Sequence, residues 1–441
     1  MVEDLMERAG SADAPVLEIE RLDLATAVDA LDEVAAVWAA PDEPTVIAVG
    51  RARTVTGTGE DRFETIREAA EGLFDALGDY PHIARPRLFG GVSFFEAETL
   101  SPPWSAFEPA AFVLPAQQVV LDEDRTVLAG IDVDRAELEG TARTLQRAAR
   151  GGKRAPAEQD PGDGRTAGPA TLRTDPETWQ SRVERVTERI QRGDLEKAVL
   201  AAAADLPLES PLDLGRVLGA LGTRYPECYR FAFRASGTAD PAATFFGASP
   251  EQLIGKRGLQ IETEALAGTV RRGNSEDTDR ERIRHLETDD TIAAEHAVVA
   301  TRICDQLADL GPDVTGGDRE VHSLANVHHL RTPIDATLAE PTHVLDLVKL
   351  LHPTPALGGH PADAAHDLIA DVEPTARGWY GAPVGWFDAA GDGTFAVGIR
   401  SAVAQDGTAT LFAGNGIVAG SDPKTEYTEL DAKFEPIREV L

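Results

Sequence analysis

The sequence predicts an α+β fold, and three observations lead there. Apolar runs of strand length recur along the whole 441-residue chain. Long amphipathic helical patterns separate them at irregular intervals. The regular strand–helix alternation that builds a parallel β–α–β sheet is missing.

Taken in order, residues 1–14 are polar and expected to be frayed. Through residues 15–150, runs at 45–49, 90–95, 111–121 and 127–132 read as strands among acidic amphipathic helices, together an N-terminal half-unit. Residues 151–173 begin GGKRAPAEQDPGDGRTAGPA, a Gly, Pro and charge content that suits an exposed, flexible connection. A helix then starts sharply in the motif-rich remainder, 174–441. Thr174 or Asp175 can cap it, Pro176 suits its first position, and Trp179, Val183, Val186 and Ile190 repeat at helical spacing. Gly193 is its expected stop and delivers the chain into an apolar strand from Lys197. Further strands are expected at 243–247, 259–263, 395–400 and 408–413, and helices at 279–307, 342–351 and 361–369. No period of 20–50 residues repeats.

Composition narrows the function. The formal net charge is −33, and six lysines stand against 36 arginines and 75 acids. No basic segment is large enough to track a phosphate backbone, which argues against nucleic acid and anionic membranes as partners. Acid excess with few lysines resembles cytoplasmic proteins of salt-accumulating (halophilic) organisms. At molar salt the screening length is about 3 Å, so such a surface does not repel an anionic substrate from afar. No apolar run is long enough to span a bilayer, and the start MVEDLMERAG carries no secretory pattern, so a cytoplasmic location is expected. Cys228 and Cys304 read as small buried residues in a reducing compartment.

Six segments carry candidate chemistry. Lys197, at the edge of a buried strand, loses solvation and can act as a base, although a lysine there can also snorkel to water. Glu251, in FFGASPEQL (245–253), sits beside aromatic and apolar residues that can keep a carboxyl protonated; a loop glutamate is otherwise simply solvated. In TEALAGTVRRG (263–273), Gly268 permits close backbone approach and Thr269 offers a hydroxyl, as in an anion site or an unliganded tight turn. Glu295-His296 lies on a helix whose acids can equally form a solvated face. His352 begins HPTPALGGHP (352–361), whose prolines and glycines suit a rigid wall. Arg400 ends a strand, and Gly414 in LFAGNGIVAG (411–420) leads to Glu426, Glu429 and Lys433 on one helical face. That face is ordinary surface by default, or an oxygen site for Mg²⁺ if another carboxylate joins it.

Together, over about residues 174–437 and in this order, these motifs resemble the chorismate-utilising enzymes, among them isochorismate, salicylate, anthranilate and aminodeoxychorismate synthases. Phe89-Gly90-Gly91 and Trp104 match more loosely. The resemblance implies antiparallel or mixed sheets packed as a two-lobed core with helices outside. Water-adding members carry lysine where this chain has Lys197, whereas ammonia-using members carry glutamine. Ala267 stands where aminodeoxychorismate synthases carry a nucleophilic lysine. The isochorismate synthase branch is therefore the one implied, with chorismate as substrate. Two departures stand out: Asp290 is displaced from the family's Lys-Asp before Glu-His, and Val327-His328 replaces an aromatic, leaving His329 as the equivalent histidine.

The resemblance further implies Mg²⁺ on Glu295 and Glu429 with Glu426 close by. Arg400 and Lys433, with backbone amides near Gly268 and Gly414, are implied as carboxylate anchors. Lys197 is the implied base and Glu251 the implied acid, with Thr269 and His352 in the substrate wall. A monomer without a glutaminase subunit is expected, and salt-adapted composition favours menaquinone biosynthesis. The competing readings are a salicylate synthase, an anthranilate-type component I and a non-catalytic chorismate-binding protein.

Overall fold

The computed structural model describes residues 15–151, 170–236, 242–311, 313–324 and 327–441. The expected frayed start at 1–14 and most of the expected connection at 151–173 lie outside the described residues.

Two sheets, of twelve and ten strands, face each other, and every pairing among the described residues is antiparallel. Between them lies an aromatic layer in which Trp38, Phe231, Phe245 and Phe412 of one sheet meet Phe89 and Trp386 of the other. Trp104 fills the gap between them, stacked on Phe412 with ring centroids 5.2 Å apart. Helices cover both outer faces. Trp179, Val183 and Val186 pack with Leu430, Phe434 and Ile437 on the larger sheet. Ile66, Val299, Ile303 and Leu347 pack on the smaller one. The result is a four-layer α/β/β/α stack, with burial of apolar surface on both faces of each sheet as its main driving force. Among the described residues no helix is long and apolar enough to cross a membrane.

The N-terminal residues interleave with the rest. Val34–Ala39 pairs with Tyr229–Arg234, and Arg87–Val92 pairs with Pro383–Asp388. The helix Pro176–Gln191 begins as its sequence demands. Asp175 accepts from the Thr178 amide at 2.9 Å, Pro176 occupies the first turn, and Gly193 follows with φ +80°.

Several expected boundaries differ. Residues 111–121 form two strands, Ala110–Leu114 and Gln117–Leu121, because Pro115 has no N–H for a ladder. The expected helix at 279–307 is two helices, Glu276–Thr288 and Asp290–Ala308. Asp289 breaks it by accepting from the Thr291 and Ile292 amides at 2.9 and 3.0 Å. The strand expected at 259–263 runs on as Gln260–Arg271, and that expected at 408–413 as Thr408–Ile417.

The strand expected at 395–400 is Gly393–Val397, and Arg400 lies beyond it at φ 49°. Here the chain changes sheets: Gly393–Val397 belongs to the ten-stranded sheet and Ser401–Gln405 to the twelve-stranded one. A second crossing runs the other way, from Thr244–Ser249 through Pro250 and Glu251 into Gln252–Arg257. The crossings are tied together, with Ala248 N donating to Arg400 O at 3.0 Å and Val397 N to Glu251 O at 3.1 Å.

Candidate active site

A cavity of about 230 Å³ opens beside these crossings. Glu251 and Arg400 enter it from the crossings, Lys197 and Gly414 from neighbouring strands, and Glu295, Glu426, Glu429 and Lys433 from two helices.

Lys197 is the first residue of the Lys197–Pro207 strand and pairs with His360. Its side chain is 12% exposed, and Nζ donates to Glu295 Oε1 at 2.5 Å. Space for it comes from Gly416 on the adjacent strand, where a Cβ would stand 2.7 Å from Lys197 Cε. Glu251 is buried, and loss of solvent pushes its carboxyl up to about 8; Glu264 adds to the rise and Lys197 opposes it. Glu264 is itself held by the Gln252 amide at 3.0 Å and by Arg331 at 2.5 Å. An acid that keeps its proton at neutral pH thus shares one cavity with an amine.

Gly268 interrupts the register of the Gln260–Arg271 strand at φ +78°. A Cβ there would meet Ile292 Cγ2 at 2.6 Å. Gly268→Ala is therefore expected to destabilise by about 1–3 kcal/mol and to raise the KM for substrate, read from denaturant titration and steady-state rates. His296 clamps this bulge from outside the cavity. Burial keeps its ring neutral, so Nδ1–H donates to Ala267 O at 3.2 Å while Nε2 accepts from the Thr332 hydroxyl at 2.8 Å. Thr269 Oγ1 bonds His329 Nδ1 at 2.8 Å. Burial, reinforced by Arg400, lowers His329 to about 3, so its ring is neutral too.

The opposite wall is cationic. Lys433 donates to Gly414 O and Asn415 Oδ1, each at 2.8 Å, and burial beside Arg400 lowers it to about 8. Burial also lowers Arg400. Asn415 spans to the acidic side, donating to Glu426 O at 2.7 Å and Oε2 at 2.8 Å. Burial raises Glu426, and Glu429 adds to that rise. Two carboxylates that repel each other in a half-buried place are suited to a hard divalent cation. Among the described residues no three His, Cys, Asp or Glu side chains form a ready-made cage. Mg²⁺ does not require one, since it keeps waters and takes ligand oxygens beside one or two carboxylates. Glu295, Glu426 and Glu429 fit that donor set.

His352, expected in the substrate wall, does not line the cavity. Its Nε2–H donates to Phe94 O at 3.1 Å, and burial lowers it to about 3. Ala356 and Leu357 of the same segment face the cavity in its place. Glu264, Tyr380 and Asn415 contribute without having been singled out in the sequence. Asn415 had one signal, a polar side chain between two glycines in an otherwise apolar strand. Asp290 is exposed at the start of its helix, away from any such role.

Comparison with known proteins agrees with this geometry. The description "chorismate binding enzyme" belongs to the family whose profile matches residues 6–441. The isochorismate synthase MenF of Bacillus subtilis is 33% identical over 92% of this chain and 87% of its own length. The salicylate biosynthesis isochorismate synthase of Pseudomonas aeruginosa is 34% identical over 98% of this chain and 92% of its own. The structure of the menaquinone-specific isochorismate synthase MenF of Escherichia coli superposes with a TM-score of 0.78 at 24% identity, covering 100% of this chain and 98% of that one. With a family match across nearly its whole length and the family's sandwich around one polar cavity, the chain belongs to the chorismate-binding enzymes.

Proposed function

We propose that this enzyme is an isochorismate synthase, adding water at C2 of chorismate with loss of the C4 hydroxyl. The observation that carries this reading is the pairing of Lys197 with a protonated Glu251 on one cavity. Lys197 takes a proton from the attacking water as its oxygen bonds to C2. The ring double bonds shift, and the C4–oxygen bond breaks as Glu251 gives its proton to the departing hydroxyl. One water enters and one leaves, and the proton on Lys197 returns to Glu251 through solvent. Arg400 and Lys433 hold a substrate carboxylate, with amides near Gly268 and Gly414. Glu295, Glu429 and Glu426 would hold Mg²⁺, which would supply charge neutralisation and orientation for the substrate. Each proton-transfer group contributes about 10²–10⁴-fold, so fixed placement of the substrate supplies much of the remainder.

The names of the two relatives support the reaction. Likeness to MenF favours menaquinone biosynthesis as the use of the product. Since water and not ammonia is the nucleophile, no glutaminase subunit is required, and the protein is proposed to act as a cytoplasmic monomer.

The test is a product assay at high salt with chorismate and Mg²⁺, without ammonia, resolved by chromatography. Isochorismate alone is expected. Salicylate with equimolar pyruvate would make the enzyme a salicylate synthase, and turnover only with ammonia would overturn the role of Lys197. Excess EDTA is expected to abolish the activity; full activity in EDTA would remove the metal from the proposal.

A further inference from the structure

Among the described residues, the Lys197–Pro207 strand is paired along its length on one side only. Thr408–Ile417 accompanies it from Ala198 to Pro207. On its other side, Gly358–His360 reaches Lys197, Ala198 and the Val199 amide, and Thr171–Arg173 reaches Ala203 to Asp205. The gap between them falls just past the lysine, where backbone groups buried without partners would cost free energy.

Two side chains fill it. Glu373 Oε1 accepts from Ala201 N at 2.7 Å, and Arg377 Nη2 donates to Val199 O at 2.6 Å. They hold each other through Arg377 Nε to Glu373 Oε2 at 2.8 Å and Nη2 to Oε1 at 2.6 Å. Arg377 Nη1 also donates to Leu357 O at 2.9 Å. The Arg377 and Glu373 side chains are 1% and 4% exposed. Val199 and Leu357 both line the cavity.

We propose that Glu373 and Arg377 are positioning residues for Lys197. They stand in for a missing strand, and they fix the lysine-bearing strand start against the Leu357 wall. This inference rests on the reading of Lys197 as the base. The attraction between the two charges does not by itself account for the pair. A buried ion pair can be replaced by apolar side chains of similar volume at little or no cost. Apolar side chains cannot bond the Val199 carbonyl and the Ala201 amide, whereas a planar guanidinium fixes both distance and angle.

The test compares Arg377→Lys with the apolar double variant Glu373→Leu/Arg377→Met. The double variant leaves the Val199 carbonyl and the Ala201 amide without side-chain partners, so it is expected to fold but to unfold at a lower denaturant midpoint than wild type. Its kcat should fall about 10²-fold while KM for chorismate stays within about twofold, the signature of a misplaced reacting group. Arg377→Lys, which keeps the charge but loses the fork, should recover part of that kcat. A folded double variant with wild-type kcat would overturn the proposal, as would wild-type kcat in Arg377→Lys if the double variant does not fold. Hydrogen exchange at the Ala201 amide separates this inference from the proposed reaction. Faster exchange in a folded variant that lacks Glu373, whatever the wild-type enzyme makes from chorismate, supports the surrogate strand; unchanged protection there overturns it.

Discussion

Glu251→Gln is expected to stop turnover and at the same time to make the folded protein more stable. The amide matches the carboxyl in shape but cannot release a proton to the leaving hydroxyl, so kcat should fall by about 10²–10⁴-fold. The stability gain follows from burial. The carboxyl holds its proton up to about 8 in the folded chain, against an ordinary value of 4.5. Between those values the folded state keeps a proton that the unfolded state has released. Wild-type stability therefore declines as pH rises through that window, by roughly 1.4 kcal/mol per pH unit, and levels off above it. Glutamine has no such slope. The variant should overtake wild type progressively, with a margin of about 3 kcal/mol near pH 7. Denaturant titrations of both proteins on either side of the window measure it. Parallel pH profiles would mean that residue 251 is not the buried acid.

Lys197→Ala is expected to lower kcat by about 10²–10⁴-fold with little change in the KM for chorismate, since the role proposed for the lysine is on water and not on a substrate anchor. The fold should survive. Glu295 loses its partner but is 32% exposed and stays solvated. A second effect is electrostatic. The charge of Lys197 lowers the Glu251 carboxyl, so its removal should raise that group further. Steady-state kinetics with product identification check the first effect. Near-wild-type isochorismate formation would exclude Lys197 as the base.

Much of the site was legible because its residues break a pattern. Lys197 interrupts an apolar strand, Gly268 a long β run, and Glu251 a turn that follows an aromatic strand. The cavity gathers these with Thr269, Glu295, Arg400, Gly414, Glu426, Glu429 and Lys433. His352 was misplaced because a rigid Pro- and Gly-rich segment does not reveal which of its residues points inward. Glu264 was passed over because its effect on Glu251 arises across a strand pair. Glu373 and Arg377 stand at i, i+4, a spacing ordinary on exposed helices, and only the strand position they fill among the described residues gives them another meaning. The α+β class followed from periodicity. The two changes of sheet did not, because alternation says which way a side chain points but not which sheet its strand joins.

Partners in the Lys197–Pro207 and Thr408–Ile417 pair are roughly two hundred residues apart in sequence, so joining them closes a long loop at a large entropic cost. During synthesis the lysine strand leaves the ribosome long before the strand and helix that complete its cavity. The nascent chain therefore carries an apolar, half-paired edge until residues 408–438 arrive, and that interval is its period of greatest exposure to aggregation. A dense acidic surface, whose like charges keep unfinished chains apart, acts during that wait as well as in the finished enzyme.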